Sequence, residues 1–351
     1  MKYCDISLLP AELRLKILAY LSHYQLKMVV RVNRRWREMG EDPYLWKNIS
    51  LAISSRTQPV IGQILKMKRL DRLRIVELSS PIPAGQAQDV LCLLKDHESV
   101  KDLNIAGSKL SKVQADILGN MVRGLEVLVV TNCRLTLIQI KNILNVISND
   151  STCKMKELYI GSNDLHQLPP LLLSNCVTKL STLHCDNTYL MDNQVEALFL
   201  AISQEDSTLK ELNILSVDLS SLSPTLISSS LANLVSVNLW GSMLTTDQVE
   251  AVFNIPAKNN KLTHLNLSNN DLSLIPPTIL SSSICRLTKA EVCHSNLTPM
   301  QVTMLLTNVA TKDCQLAKLD LTGNPTAMQQ LPQQLLQTAR NKLDSLELGY
   351  F

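Results

Sequence analysis

The sequence predicts an α/β chain in which one parallel sheet grows strand by strand with helices covering its other face, behind a small helical unit. Three observations carry this reading. A leucine spacing recurs from about residue 70 to the end, apolar residues at helical spacing fill the gaps between its copies, and a cluster of leucine, proline and tryptophan near the start has no copy elsewhere. At 351 residues the length alone allows two or three compact domains, but a repeating chain extends in one direction without splitting. With 45% hydrophobic and 19% charged residues, the chain has the composition of a folded protein, without a low-complexity linker of any length.

The first element is predicted from Leu13 to Leu21. Leu13, Leu15, Ile17, Leu18, Ala19, Tyr20 and Leu21 go almost all the way round a helical wheel, so this helix needs cover on more than one side. Pro10 suits its first turn and Ser7 lies just ahead. A second helix is expected over roughly Gln25 to Met39, with Met28, Val29, Val32, Trp36 and Met39 on one stripe and Leu26 with Val30 on another. Asp42-Pro43 then opens a short turn bearing Leu45 and Trp46, with Trp36 and Trp46 expected to pack internally. So few residues make a marginal core, so one apolar side can pack on the first repeat while the other asks for a partner.

From Leu70 the spacing LxxLxLxx(N/C)xL repeats, with clear copies such as Leu125-Leu128-Val130-Cys133-Leu135, Met155-Leu158-Ile160-Asn163-Leu165 and Leu262-Leu265-Leu267-Asn270-Leu272. Successive copies begin at 70, 100, 125, 155, 180, 209, 234, 262, 287, 316 and 343, so long and short units alternate. Long units carry stripes such as Ile140/Ile143/Leu144/Ile147 and Val195/Leu198/Phe199/Ile202, each one face of a three-turn helix. Short units open on proline at Pro169-Pro170, Pro224, Pro276-Pro277 and Pro332, which reads as clipped helices. Asn163, Asn270, Asn324 and the stand-ins Cys133, Ser108, Ser242 and Ser295 are expected to bond the backbone where the chain turns.

Stacked, these units predict a leucine-rich-repeat horseshoe: a parallel concave sheet with alternating long and short convex helices, about eleven units over residues 70–351. The alternation resembles the ribonuclease-inhibitor class of repeat. Eleven strands at about 4.8 Å spacing make a concave face of about 50 Å, a span for a protein or peptide partner. Residues between the leucines line that face in columns, beginning with Arg72 and Arg74 beside Asp102 and Asn104. The candidate target-binding residues there are Tyr159, His184, Asp186, Leu215, Trp240 and His264, large or chargeable groups standing where solvent would otherwise be. The last strand, Leu343 to Leu348, leaves a sheet edge for Gly349-Tyr350-Phe351, further chain or self-association to cover.

Charge and cysteine content narrow the function classes. Residues 1–75 hold 15 Lys and Arg against 6 Asp and Glu, and the remainder 19 against 25, which points to two surfaces with different partners. The basic run Lys66 to Arg74 lacks the interleaved aromatics of a nucleic-acid patch and reads as a solvated junction. Nine cysteines, odd in number and without a CxxC pair, support neither a disulfide framework nor a metal site, and Cys133 and Cys185 stand where the repeat wants a small apolar residue. His184 and His264 lie in different columns, so no shared metal is expected, and no catalytic triad order, phosphate loop or HExxH occurs. No signal-peptide core or membrane-length apolar run is seen, so a cytoplasmic or nuclear location is expected.

The order Leu9-Pro10-x-Glu12-Leu13-x-x-Lys16-Ile17-Leu18-x-Tyr20-Leu21, followed by Val32, Trp36 and Leu45-Trp46, resembles an F-box over residues 6–50, with 51–69 as a junction to the repeats. The resemblance implies a three-helix unit that docks to a Skp-type adaptor through Leu9, Pro10, Leu13, Ile17, Leu18, Val29 and Val32. The adaptor in turn joins a cullin scaffold carrying a RING protein and a ubiquitin-charged enzyme. It thus implies a non-catalytic subunit of an SCF-type ubiquitin ligase that needs no cofactor and holds an unknown protein target on the repeats. The alternative is a ligase-independent repeat scaffold or inhibitor whose N-terminal helices only cap the solenoid.

Overall fold

The computed structural model describes residues 9–21, 23–46, 48–51, 74–78, 81–82, 85–95, 98–310, 314–328 and 331–349. Ser7, Leu70, Arg72, most of the 51–69 junction, the basic run up to residue 73, and Tyr350-Phe351 lie outside them. The chain divides into two compact units, one comprising residues 1–146 and 150–155, the other residues 147–149 and 156–351.

In the first unit, α1 (Ala11–Leu18) starts at Pro10, whose carbonyl accepts from the amides of Leu13 and Arg14 at 3.1 Å. The single helix expected over Gln25 to Met39 is two, α2 (His23–Val29) and α3 (Arg34–Gly40). The break has a local cause: Asn33 is fully extended and its side-chain oxygen accepts from the Trp36 amide at 3.0 Å, which caps a new helix and ends the old one. A 3₁₀ turn, Pro43–Trp46, then seats Trp46 in the interior, where its indole donates to the Gly40 carbonyl at 2.6 Å. Trp46 is buried, and Trp36 half-buried.

Four parallel strands follow in sequence order in this unit: β1 (Asn48–Leu51), β2 (Ile75–Leu78), β3 (Asp102–Asn104) and β4 (Val127–Val129). Two corrections arise here. A strand forms directly behind Trp46, where no repeat was expected, so the described residues hold twelve strands and not eleven. The next strand sits later than the copy placed at Leu70: Ile75 aligns with Asp102 and Glu77 with Asn104, so Arg72 and Arg74 do not head the concave columns. The β-branched pair Ile75-Val76 suits a strand, and Val76 is fully buried in the inward position. Helices α4 (Ala87–Lys95), α5 (Ala115–Gly124) and α6 (Leu137–Asn149) return the chain, with Ile140, Ile143 and Leu144 of α6 wholly buried.

The second unit contains eight parallel strands in sequence order: β5 (Glu157–Tyr159), β6 (Thr182–His184), β7 (Glu211–Asn213), β8 (Ser236–Asn238), β9 (His264–Asn266), β10 (Lys289–Glu291), β11 (Lys318–Asp320) and β12 (Ser345–Glu347). Their register is the predicted one, with Glu157, Thr182, Glu211, Ser236, His264, Lys289 and Lys318 in one column and Tyr159, His184, Asn213, Asn238, Asn266, Glu291 and Asp320 in the next. Between these columns Leu158, Leu183, Leu212, Val237, Leu265, Ala290 and Leu319 point into the core.

Helix lengths follow the predicted alternation only in part. Helix α7 (Pro170–Ser174) has 5 residues and α8 (Asp192–Ile202) has 11. However, α9 (Pro224–Leu231), α10 (Thr246–Phe253) and α11 (Pro277–Ile284) all have 8. Pro256 shortens α10, because the chain ahead of a proline leaves the helical region. After α12 (Pro299–Ala310) and α13 (Pro325–Met328), the helix behind Pro332, α14 (Gln333–Lys342), runs to 10 residues. There Pro332 is the cap, and good helix formers with Arg340 and Lys342 in the last turn carry the helix on.

The third residue beyond each of the strands β3 to β11 turns left-handed, with positive φ at Gly107, Asn132, Ser162, Asn187, Ser216, Gly241, Asn269, His294 and Gly323. Glycine and small polar residues tolerate this geometry best, and it lets the pairing run on past the strand, as in Ser162 N–H to the Asp186 carbonyl at 2.8 Å. The turn asparagines act as expected: Asn270 donates to the Leu239 and Leu267 carbonyls, and Asn324 to those of Val292 and Leu321. Of the stand-ins, Cys133 and Ser108 are buried and bonded, whereas the buried Ser242 hydroxyl finds no partner among the described residues.

Candidate protein-docking surfaces

On α1, Leu13 is 46% exposed and Ile17 40%, at the i, i+4 positions of one helix face, and Tyr20, in the turn that follows the helix, is 92% exposed. Met28 on α2 and Val32 just beyond it are exposed as well, and Pro10 is exposed while Leu9 and Val29 are half-buried. Leu18, also in the expected contact set, is 2% exposed and packs inward, on a different face of α1 from Leu13 and Ile17. Leu26 of α2 and Trp46 are buried as well. The surrounding polar groups brace the small core, with Arg14 donating to the Met39 sulfur at 3.3 Å and Arg37 to the Val30 carbonyl at 3.3 Å. These helices therefore bury one apolar side and leave another exposed, with about 25 cal/mol for each Å² to be gained by covering it.

The second surface lies on the outward columns of β5 to β10. The Tyr159 hydroxyl donates to the Glu157 carboxylate at 3.0 Å, the Tyr159 ring meets the His184 ring edge-on at 4.5 Å, and His184 Nε2 lies 2.9 Å from the Glu211 carboxylate. Four side chains from three adjacent strands thus form one network. Burial, together with the hydrogen bond to Glu157 and the nearby carboxylates, pushes the Tyr159 phenol well above its usual value and keeps it a donor. Asp186 stands beside this group, its carboxylate lying over Gly161, where any Cβ would collide with it.

Leu215 and Trp240 occupy the next positions in Asp186's column, both half-buried. Their amides donate to the side chains of Asn213 and Asn238 at 3.2 and 3.1 Å. The same bond recurs at Asn104, Asn266 and Asp320, so the polar residues of this column are tied to their own turns. His264 stands apart. It bonds Thr263 at 2.8 Å and lines a depression of about 140 Å³ with Ser236, Asn238, Asn266, Lys289 and Glu291. Among the described residues no cluster of three His, Cys, Asp or Glu side chains is arranged to hold a metal, and no helix is long and apolar enough to cross a membrane.

One set of residues escaped the sequence reading. Gln139, Gln194, Gln248 and Gln301 are almost wholly buried, and each side chain donates to two carbonyls of the preceding unit, as Gln248 does to Leu219 and Leu222 at 2.8 and 2.7 Å. Their spacing of 53 to 55 residues, one long unit plus one short, is the signal that would have found them.

Residues 6–52 match the family described as F-box-like. Over 75 residues the chain is 36% identical to an F-box protein of Saccharomyces cerevisiae (strain ATCC 204508 / S288c), a stretch covering 21% of this chain and 12% of that protein. The exposed apolar stripe of α1 and α2 falls inside the matched segment. The chain carries an F-box-like segment at its N-terminal end, followed by a leucine-rich-repeat solenoid.

Proposed function

We propose that this chain is the substrate-recognition subunit of an SCF-type E3 ubiquitin ligase. Its F-box-like helices dock to a Skp-type adaptor through Leu9, Pro10, Leu13, Ile17, Val29 and Val32, and through the adaptor to a cullin-RING scaffold. The outward face of the repeats holds a protein target with Tyr159, His184, Asp186, Leu215 and Trp240, while His264 belongs to the neighbouring depression. The chain itself makes and breaks no bonds. It raises the effective concentration of target lysines near the activated ubiquitin.

The observation that carries this reading is the side chain of Leu13, nearly half exposed on a helix that buries Leu18 on a different face. A helix that only sealed the solenoid has no use for a second apolar stripe. The test is co-purification from cells with the proteasome blocked, comparing the wild-type chain with the Tyr159→Ala/Trp240→Ala double variant. Targets lost with the adaptor retained is the expected result. Equal target recovery from both chains would remove recognition from this face.

A further inference from the structure

The sulfurs of Cys285 and Cys314 lie 2.6 Å apart, although 29 residues separate them and neither belongs to a motif. Cys285 is the C-terminal cap of α11, and Cys314 lies in the segment that runs into β11 of the following unit. The backbones are held together independently of the thiols, since the Gln315 amide donates to the Cys285 carbonyl at 2.8 Å. Small side-chain rotations therefore bring the sulfurs to the ~2.05 Å of a disulfide without moving either unit.

We propose that Cys285 and Cys314 are a reversible redox pair that clips two adjacent repeats together when a peroxide oxidises them. The two thiols are unequal in the way this chemistry requires. Cys285 is 8% exposed, whereas Cys314 is half-exposed and meets the oxidant first. Hydrogen bonding with Cys285 draws the Cys314 thiol below its ordinary value, helped by the Leu316 amide and the charge of Lys342, which favours the thiolate at Cys314. Its thiolate attacks hydrogen peroxide, breaking the O–O bond to give Cys314–SOH and releasing hydroxide. The Cys285 sulfur then displaces the sulfenic oxygen as water, its own proton leaving with it, so two thiols and one peroxide give one disulfide and two waters. A dithiol reductant returns both thiols and becomes a disulfide itself.

The clip closes a loop between two adjacent repeats and so resists their separation. Peptide mapping of the full chain, reduced and then given one equivalent of hydrogen peroxide, tests the proposal. A Cys285–Cys314 cross-link, reversed by dithiothreitol and accompanied by a rise of about 5 °C in the thermal midpoint, is the expected result. Cys314→Ser should abolish cross-link and shift together, and Cys285→Ser should leave Cys314 trapped by a sulfenic-acid reagent. Cross-linking between chains, over-oxidation of both thiols without a bond, or a disulfide that survives dithiothreitol would overturn the proposal. The wild-type mapping stands by itself should either variant fold poorly.

Discussion

Gln248 shows how much one side chain contributes when a repeat has to be fastened to its neighbour. Its oxygen accepts from the Thr245 amide at the start of α10, and its nitrogen serves the buried Leu219 and Leu222 carbonyls of the unit before. Gln248→Ala leaves those carbonyls without a donor and is expected to destabilise the chain by roughly 2–3 kcal/mol, read as a lower urea midpoint. Gln248→Glu is expected to cost more, because a carboxylate facing carbonyls has no donor to offer. Gly323 is a second such position: its φ of 75° is left-handed, and a Cβ there would meet the His294 ring. Gly323→Ala is expected to cost about 1–2 kcal/mol by the same measurement. Neither residue carries a meaning visible to one-turn pattern reading, since a glutamine inside a helix and a glycine after a strand are ordinary until the neighbouring unit is in place. Tyr159 and His184, by contrast, were legible, because side-chain alternation in a strand fixes which residues leave the core.

At the scale of elements, the leucine spacing determined strands and register in the second unit almost residue by residue, while helix ends escaped it. A proline marks where a helix can begin but not how far it runs, so the helix after Pro332 is as long as one in a long unit. The split between α2 and α3 followed from the Asn33 cap, which competes with an apolar periodicity that crosses it unbroken. Short units have a turn of their own, in which Asp164, Asp218 and Asp271 accept from the amides two residues on, His166, Ser220 and Ser273. At Asp271 the Ser273 amide bond, then the Ser273 hydroxyl, holds the carboxyl below its ordinary value. A lowered folded-state value means this turn stabilises the fold above the unfolded carboxylate range and loses that contribution as pH falls through the folded value. Asp271→Asn is therefore expected to flatten the acid limb of the stability curve below about pH 4, checked by urea titration at several pH values.

For the whole molecule, the composition already separated two surfaces, a basic first 75 residues and an acidic remainder. The structure gives each a distinct chemistry: exposed aliphatic and aromatic side chains on the F-box-like helices, and an aromatic and carboxylate network on the repeat strands. The central claim is that a separate subunit covers the apolar stripe of α1. The direct measurement is titration of a purified Skp-type adaptor into the wild-type chain and into the Leu13→Asp/Ile17→Asp variant by calorimetry. Both residues are partly exposed, so the variant is expected to keep the wild-type circular dichroism and unfolding midpoint while losing adaptor affinity by a hundredfold or more, on the order of 3 kcal/mol. A wild-type chain that gives no binding heat and elutes alone beside the adaptor, or a folded variant that binds as tightly as wild type, would contradict the account.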